Sequence, residues 1–207
     1  MNIAAPRRAY RQTSRAAAAE ATGERILAAF RRRLESGWLE EIRLEDIARD
    51  AEVTVQTVIR RFGGKDGLLD EAARRVGQSV ELTREVVPGD VGAAVRAVIR
   101  DYEESGDLVM RMLAQEDRHP AMRRITDIGR AGHRRWIEAV FAPSLDREPA
   151  PRRGGMVDAL VVALDLYVWK LLRRDMGRGV EAVERTMLQM AAAALGVAPG
   201  ELGGKKA

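Results

Sequence analysis

Val55, Gln56, Ile59 and Arg60 fall on one face of a short segment, Val55–Phe62, whose other face carries Val58 and Phe62 at i, i+4 spacing. The chemistry open to such a face is the reading of base edges. A glutamine amide can bond bidentately to adenine and an arginine to guanine O6 and N7, while valine and isoleucine can touch a thymine methyl group. Thr57, Arg61 and Lys65 suit phosphate oxygens, and the helix that opens at Lys65 adds backbone N–H groups at its N-terminus.

A second set of residues suits a different task. Tyr102, Met110, Leu113, Trp136 and Trp169, with Met112, Phe141 and Tyr167, are the large or adaptable side chains of the middle of the chain, and such side chains line apolar ligand pockets. Asp127, His133, Arg134 and Arg135 could orient a polar ligand among them. The same residues read equally as packed core and solvated helix face. Catalysis finds less support. His119 and His133 are the two histidines, and there is no cysteine. No Gly-rich phosphate loop and no Gly-x-Ser-x-Gly elbow occurs. Glu116, Asp117 and His119 lack the spacing of a metal ligand set. The expectation is therefore no enzyme, no catalytic residue, no metal and no cofactor.

The elements that must position these residues are helical, because apolar residues recur with helical spacing and no run alternates as a strand would. Ile26, Leu27, Phe30 and Leu34 form the stripe of a first helix that stops near Gly37. A second helix starts near Leu44, with Glu45 and Asp46 in the first turn where the helix dipole favours acids, and ends near Glu52. Thr54 is a good N-cap for the third helix, and Gly63 and Gly64 stop it. A fourth runs from Lys65 toward Pro88, with a break at Gly77. Further helices are expected at Val91–Glu104, Asp107–Glu116, Pro120–Phe141, Met156–Asp175 and Val180–Leu195. Pro143–Gly155, with three prolines and two glycines, reads as a loop.

The fold class that follows is all-α, in four segments. Residues 1–20 form a basic, disordered arm, residues 21–67 a helix-turn-helix DNA-binding domain, residues 68–195 a second helical domain, and residues 196–207 a tail. Charge agrees with this division: residues 1–65 hold 13 Lys and Arg against 9 Asp and Glu, whereas residues 66–207 hold 22 against 22. The excess suits a polyanion partner through counterion release, or else a solvated basic tail. Arg7, Arg8, Arg11 and Arg15 precede no apolar signal region, and Ala159–Leu172 is too short and too broken by Asp165 and Lys170 to span a bilayer. A cytoplasmic protein with no membrane partner is expected.

Residues 26–69 resemble the TetR/AcrR family of bacterial transcription regulators. The matching residues are Ile26-Leu27-Ala28-Ala29-Phe30, Gly37, Asp46-Ile47-Ala48, Ala51-Glu52-Val53-Thr54, Thr57-Val58, Arg60-Arg61-Phe62 and Lys65-Asp66-Gly67-Leu68. Four positions depart from the family pattern. Glu52 replaces the turn glycine, Ile59 a tyrosine and Arg61 a histidine, and Arg43 stands where a threonine caps the second helix. With Arg43 and Thr54 added, the resemblance implies a DNA-facing set of Arg43, Thr54, Val55, Gln56, Thr57, Ile59, Arg60, Arg61 and Lys65. It also implies a repressor that leaves a double-stranded operator when a small molecule enters the C-terminal domain, and a homodimer formed through Met156–Leu172 and Val180–Leu195. Two other readings stay open: a ligand-independent DNA-binding protein, and an all-α enzyme or interaction module.

Overall fold

A computed structural model describes residues 6–198, and the side chains of residues 16–75 and 84–198. The described chain is all-α, without a strand, and divides into two compact units, residues 1–74 and 75–207.

The first unit is built on α1 (Pro6–Ser36). Its stripe of Ile26, Leu27, Phe30 and Leu34 is buried, and a 3-10 turn at Leu39–Glu41 carries the buried Leu39 and leads to Ile42. Two short helices follow, α2 (Leu44–Asp50) and α3 (Val55–Phe62), then the start of α4 (Lys65–Thr83). Ile47, Ala48, Ala51, Val58, Leu68 and Leu69 close the core over α1. Polar ties fix the layers: Arg33 on α1 reaches Asp50 on α2 at 2.6 Å, and Arg25 Nε donates to the Ala51 carbonyl at 3.2 Å. The helix α1 takes in residues 6–20, which the sequence reading sets down as a disordered arm. The Ala16–Ala19 run has the highest intrinsic helix propensity available, so nothing local interrupts the helix. Residues 1–5 of that arm lie outside the described residues.

The second unit contains α5 (Val91–Leu113), α6 (Pro120–Val140), α7 (Ala142–Leu145), α8 (Ala150–Ala163), α9 (Leu166–Lys170) and α10 (Val180–Leu195). A π-helical turn at Leu171–Asp175 extends α9. In its core α5 packs against α6, α9 and α10, and α8 against α6 and α10. Val95, Val98, Ile137, Phe141, Leu160, Leu164, Trp169 and Met187 fill the space between them.

Four boundaries differ from the sequence reading. The helix α4 runs unbroken past Gly77 and ends at Thr83. The helix α5 is continuous through Gly106, whose missing side chain admits Trp169, 2.6 Å from the position a Cβ would take. The expected loop at 143–155 is mostly helical: Pro143 and Pro151 occupy the first turns of α7 and α8, where a missing N–H costs no hydrogen bond. The helix expected at 156–175 is instead cut at Leu164–Asp165, where the Asp165 carboxylate caps α9 by accepting from the Tyr167 N–H at 2.8 Å. Of the tail, residues 199–207 lie outside the described residues. Among the described residues no helix is long and apolar enough to cross a membrane.

Candidate functional site

The turn between α2 and α3 aims the third helix. Helix α2 ends in a Schellman arrangement: the Val53 N–H donates to the Ala48 carbonyl at 2.9 Å and the Glu52 N–H to the Arg49 carbonyl at 3.1 Å. This closure requires a left-handed residue, and Glu52 supplies it at φ 55°. Thr54 then returns to extended backbone and its hydroxyl accepts from the Thr57 N–H at 3.2 Å, the N-cap its sequence position suggests. At the far end Gly63, at φ 77°, donates its N–H to the Ile59 carbonyl at 2.7 Å and stops the helix. The next helix starts so close behind that a Cβ on Gly67 would lie 1.7 Å from the Phe62 carbonyl oxygen.

Helix α3 is therefore held at both ends and through Val58, which is fully buried. Its outer face carries Gln56, Arg60 and Ile59, the last 40 % exposed. Gln56 and Arg60 make no hydrogen bond or ion pair among the described residues. Val55 and Thr57 are half-buried, and the Thr57 hydroxyl lies 3.0 Å from that of Thr54. Arg43 is exposed at the N-terminus of α2, without a capping bond from its side chain.

Two cations of the set expected to face DNA are tied to other elements of the first unit. The Arg61 guanidinium turns back onto α1, 3.0 Å from the Glu20 carboxylate and 5.7 Å from the Phe62 ring, and lies so near Gly23 that any Cβ there would meet it. Lys65 Nζ donates to the Leu39 carbonyl at 3.0 Å and ties the start of α4 to the 3-10 turn. Both serve the scaffold in this structure. Glu20, Gly23 and Leu39, which receive them, carry no local signal of that role.

The residues expected to line a ligand pocket fall mostly in filled core. Tyr102 is buried, its hydroxyl donates to the Leu164 carbonyl at 3.1 Å, and burial pushes the phenol up to about 12. Trp169 has no exposed surface and donates Nε1 to Glu103 at 2.8 Å, beneath the guanidinium of Arg174 at 4.5 Å. Met110 and Leu113 pack on the same core and Phe141 is part of it, while Tyr167 is 54 % exposed. Asp127 is paired to Arg130 at 2.9 Å and Arg134 to Asp158 at 2.7 Å, on the solvated side of α6. Trp136 is the exception among the five. With His133 it borders a buried polar cluster around Arg84 and Asp101, two residues that sequence reasoning passed over.

The apolar stripes assigned to dimerisation divide between two faces. Val157, Leu160, Leu164, Val183, Met187 and Ala191 are buried within the unit, so much of that surface is already covered by the chain itself. The opposite face of α8 and α10 keeps a shallow apolar groove lined by Ala159, Val162, Met190, Ala193 and Ala194.

No protein-family model matches the chain, and no curated protein matches it in sequence. Solved structures do match in shape. One, assigned as a TetR-family transcriptional regulator from Mesorhizobium loti MAFF303099, superposes with a TM-score of 0.59 at 18% identity, over 86% of this chain and 96% of its own. Another, assigned as a transcriptional regulator from Streptomyces coelicolor A3(2), gives 0.53 at 20% identity, over 82% of this chain and 98% of its own. At these identities the likeness is one of fold: an all-α, TetR-like architecture across nearly the whole of each neighbour.

Proposed function

We propose that the chain is a sequence-specific DNA-binding transcription regulator that reads its operator with α3. The observation that carries this reading is the outer face of α3, where Gln56, Ile59 and Arg60 stand exposed and unspent on a helix fixed at both ends. Rigid placement is what base reading needs, since a bidentate Arg–guanine or Gln–adenine pair discriminates by about 1–3 kcal/mol only when its geometry is met. The names given to the two structural neighbours point the same way.

Two chains are proposed to pair through the outward groove of α8 and α10, so that two copies of α3 meet major grooves about 34 Å apart, one turn of DNA, or a multiple of that. Repression and release by a small molecule belong to the same proposal. A ligand would act by binding the DNA-incompetent arrangement more tightly than the competent one. A ligand-independent regulator is the second reading, and one observation favours it: Tyr102 and Trp169, two of the aromatic residues expected to line a pocket, fill the core and use their polar atoms within it.

The test is selection of bound sequences from random duplexes, followed by binding of Gln56→Ala and Arg60→Ala to the selected site. Arg60→Ala should cost about 1–3 kcal/mol and relax preference at one position. Selection of no sequence, or unchanged preference in both variants, would reject base reading by α3. A metabolite panel that leaves the affinity of the wild-type chain fixed would decide for the ligand-independent reading.

A further inference from the structure

Arg84 follows directly on Thr83, the last residue of α4, and is buried among residues of α5 and α6. Its Nε and Nη2 donate to Asp101 Oδ2 at 2.9 and 2.5 Å. Its guanidinium lies 5.0 Å from the centre of the Tyr102 ring and 5.5 Å from that of Trp136. Trp136 Nε1 in turn donates to the Arg84 carbonyl at 2.9 Å. Side chain and backbone of one residue thus both fasten the end of α4 to the α5–α6 pair.

His133 on α6 completes the cluster, with Nδ1 3.1 Å from Arg84 Nη1. A guanidinium only donates, so Nδ1 must accept, and the proton of the neutral ring belongs on Nε2. That Nε2 is buried and has no hydrogen-bond partner. The ring stacks on Trp136, with centroids 6.1 Å apart. The groups facing it are Arg84 from the end of α4, Asp101 and Tyr102 of α5 through Arg84, and the Val161 backbone of α8, which favours the charged ring without bonding Nε2. Among the described residues no carboxylate lies within ion-pair distance of His133, and Asp101 is already engaged by Arg84 and by the Ser105 hydroxyl at 3.2 Å.

A proton added to His133 would turn the accepting Nδ1 into a donor facing another donor, and would set two cations in contact away from water. We propose that Arg84 and His133 form a proton-released pin: neutral His133 lets Arg84 hold the end of α4 on α5 and α6, and protonation frees it. Burial first, and the charge of Arg84 second, hold the imidazole down to about 4 in the pinned state. In a released state the ring would return to an ordinary value near 6.5. A depressed histidine favours the pinned state fully above the ordinary value, and this preference is lost as pH falls from about 6.5 toward 4. Between pH 7.5 and 5 the pinned-to-released ratio should fall about 30-fold.

Hydrogen exchange on the full chain at pH 7.5 and 5.0, corrected for intrinsic exchange rates, tests this on the amides of residues 80–90. The wild-type protection should drop about 30-fold. His133→Asn, which keeps an acceptor for Arg84 and cannot charge, should hold its protection within a few-fold, and His119→Asn should behave as wild type. Protection that is flat in the wild-type chain, or that falls equally in His133→Asn, would overturn the pin. Arg84→Met should already show low protection at pH 7.5; should it fail to fold, the His133 arm still decides. Because exchange is read without DNA, failure here leaves the DNA-binding proposal standing, and failure there leaves the pin.

Discussion

Replacing Glu52 by glycine should stabilise the first unit, against the usual direction of single substitutions. Glu52 is the one described non-glycine residue with positive φ, at 55°, and it holds the Schellman closure that lets Thr54 cap α3. An L-residue in this region carries about 1–2 kcal/mol of steric cost. Glycine removes that cost but loses about 0.5–1 kcal/mol more backbone entropy on folding, so the net gain is about 0.5–1 kcal/mol. No contact is lost with the side chain, which is exposed and makes no hydrogen bond or ion pair among the described residues. For a unit of this size the gain corresponds to about 4 °C in midpoint, measurable by thermal unfolding with exchange of the α2 and α3 amides as the local probe. Glu52→Ala is the control, because it removes the same charge but keeps a Cβ in the left-handed region; it should gain nothing. Equal gains in Gly and Ala would refute backbone strain and assign the effect to charge. On the proposed function both variants should bind DNA slightly more tightly, and equally, since both lose an anion from the turn.

Gly67→Ala should destabilise the first unit by about 3 kcal/mol in urea titration although alanine is the better helix former, because the new Cβ must displace the Phe62 carbonyl. In alkaline titration followed by phenolate absorbance, the step near pH 12 should vanish in Tyr102→Phe. The raised value of Tyr102 means that its neutral form stabilises the fold fully below about pH 10 and that this contribution is lost as pH rises through 12. Arg61→Ala and Glu20→Gln should weaken binding to the selected duplex alike and leave the slope of log affinity against log salt unchanged, whereas loss of a phosphate contact would flatten it by about 0.9.

The helix-turn-helix was legible in the sequence because its determinants are local. The stripe of Ile26, Phe30 and Leu34, the Thr54 cap and the Gly63 stop each act within one or two helical turns, so residue type and spacing suffice. Glu52 shows the same logic from the opposite side: the turn demands a left-handed residue whatever side chain occupies it. Prolines misled where position in the helix mattered more than presence, since Pro143 and Pro151 stand in first turns and start helices rather than break them. Gly106 misled for another reason: its use is to admit Trp169, which is 63 residues further along the chain.

Charged side chains were the least legible, because their direction is decided by partners far away in sequence. Arg84 is paired with Asp101 and His133, 17 and 49 residues off, and nothing near it in the chain marks it as buried. Arg61 and Lys65 illustrate the consequence for function. Composition makes each a ready phosphate ligand, yet Glu20 and the Leu39 carbonyl hold them, at 41 and 26 residues' separation. On the proposed function, a DNA face counted from cations alone includes two that are tied within the first unit, and specificity would rest on the outward Gln56, Ile59 and Arg60 of α3. On that proposal stiffness and readout would come from different residues of one short helix and its flanks, so Glu20→Gln should weaken binding with base preference intact, whereas Arg60→Ala should relax it at one position.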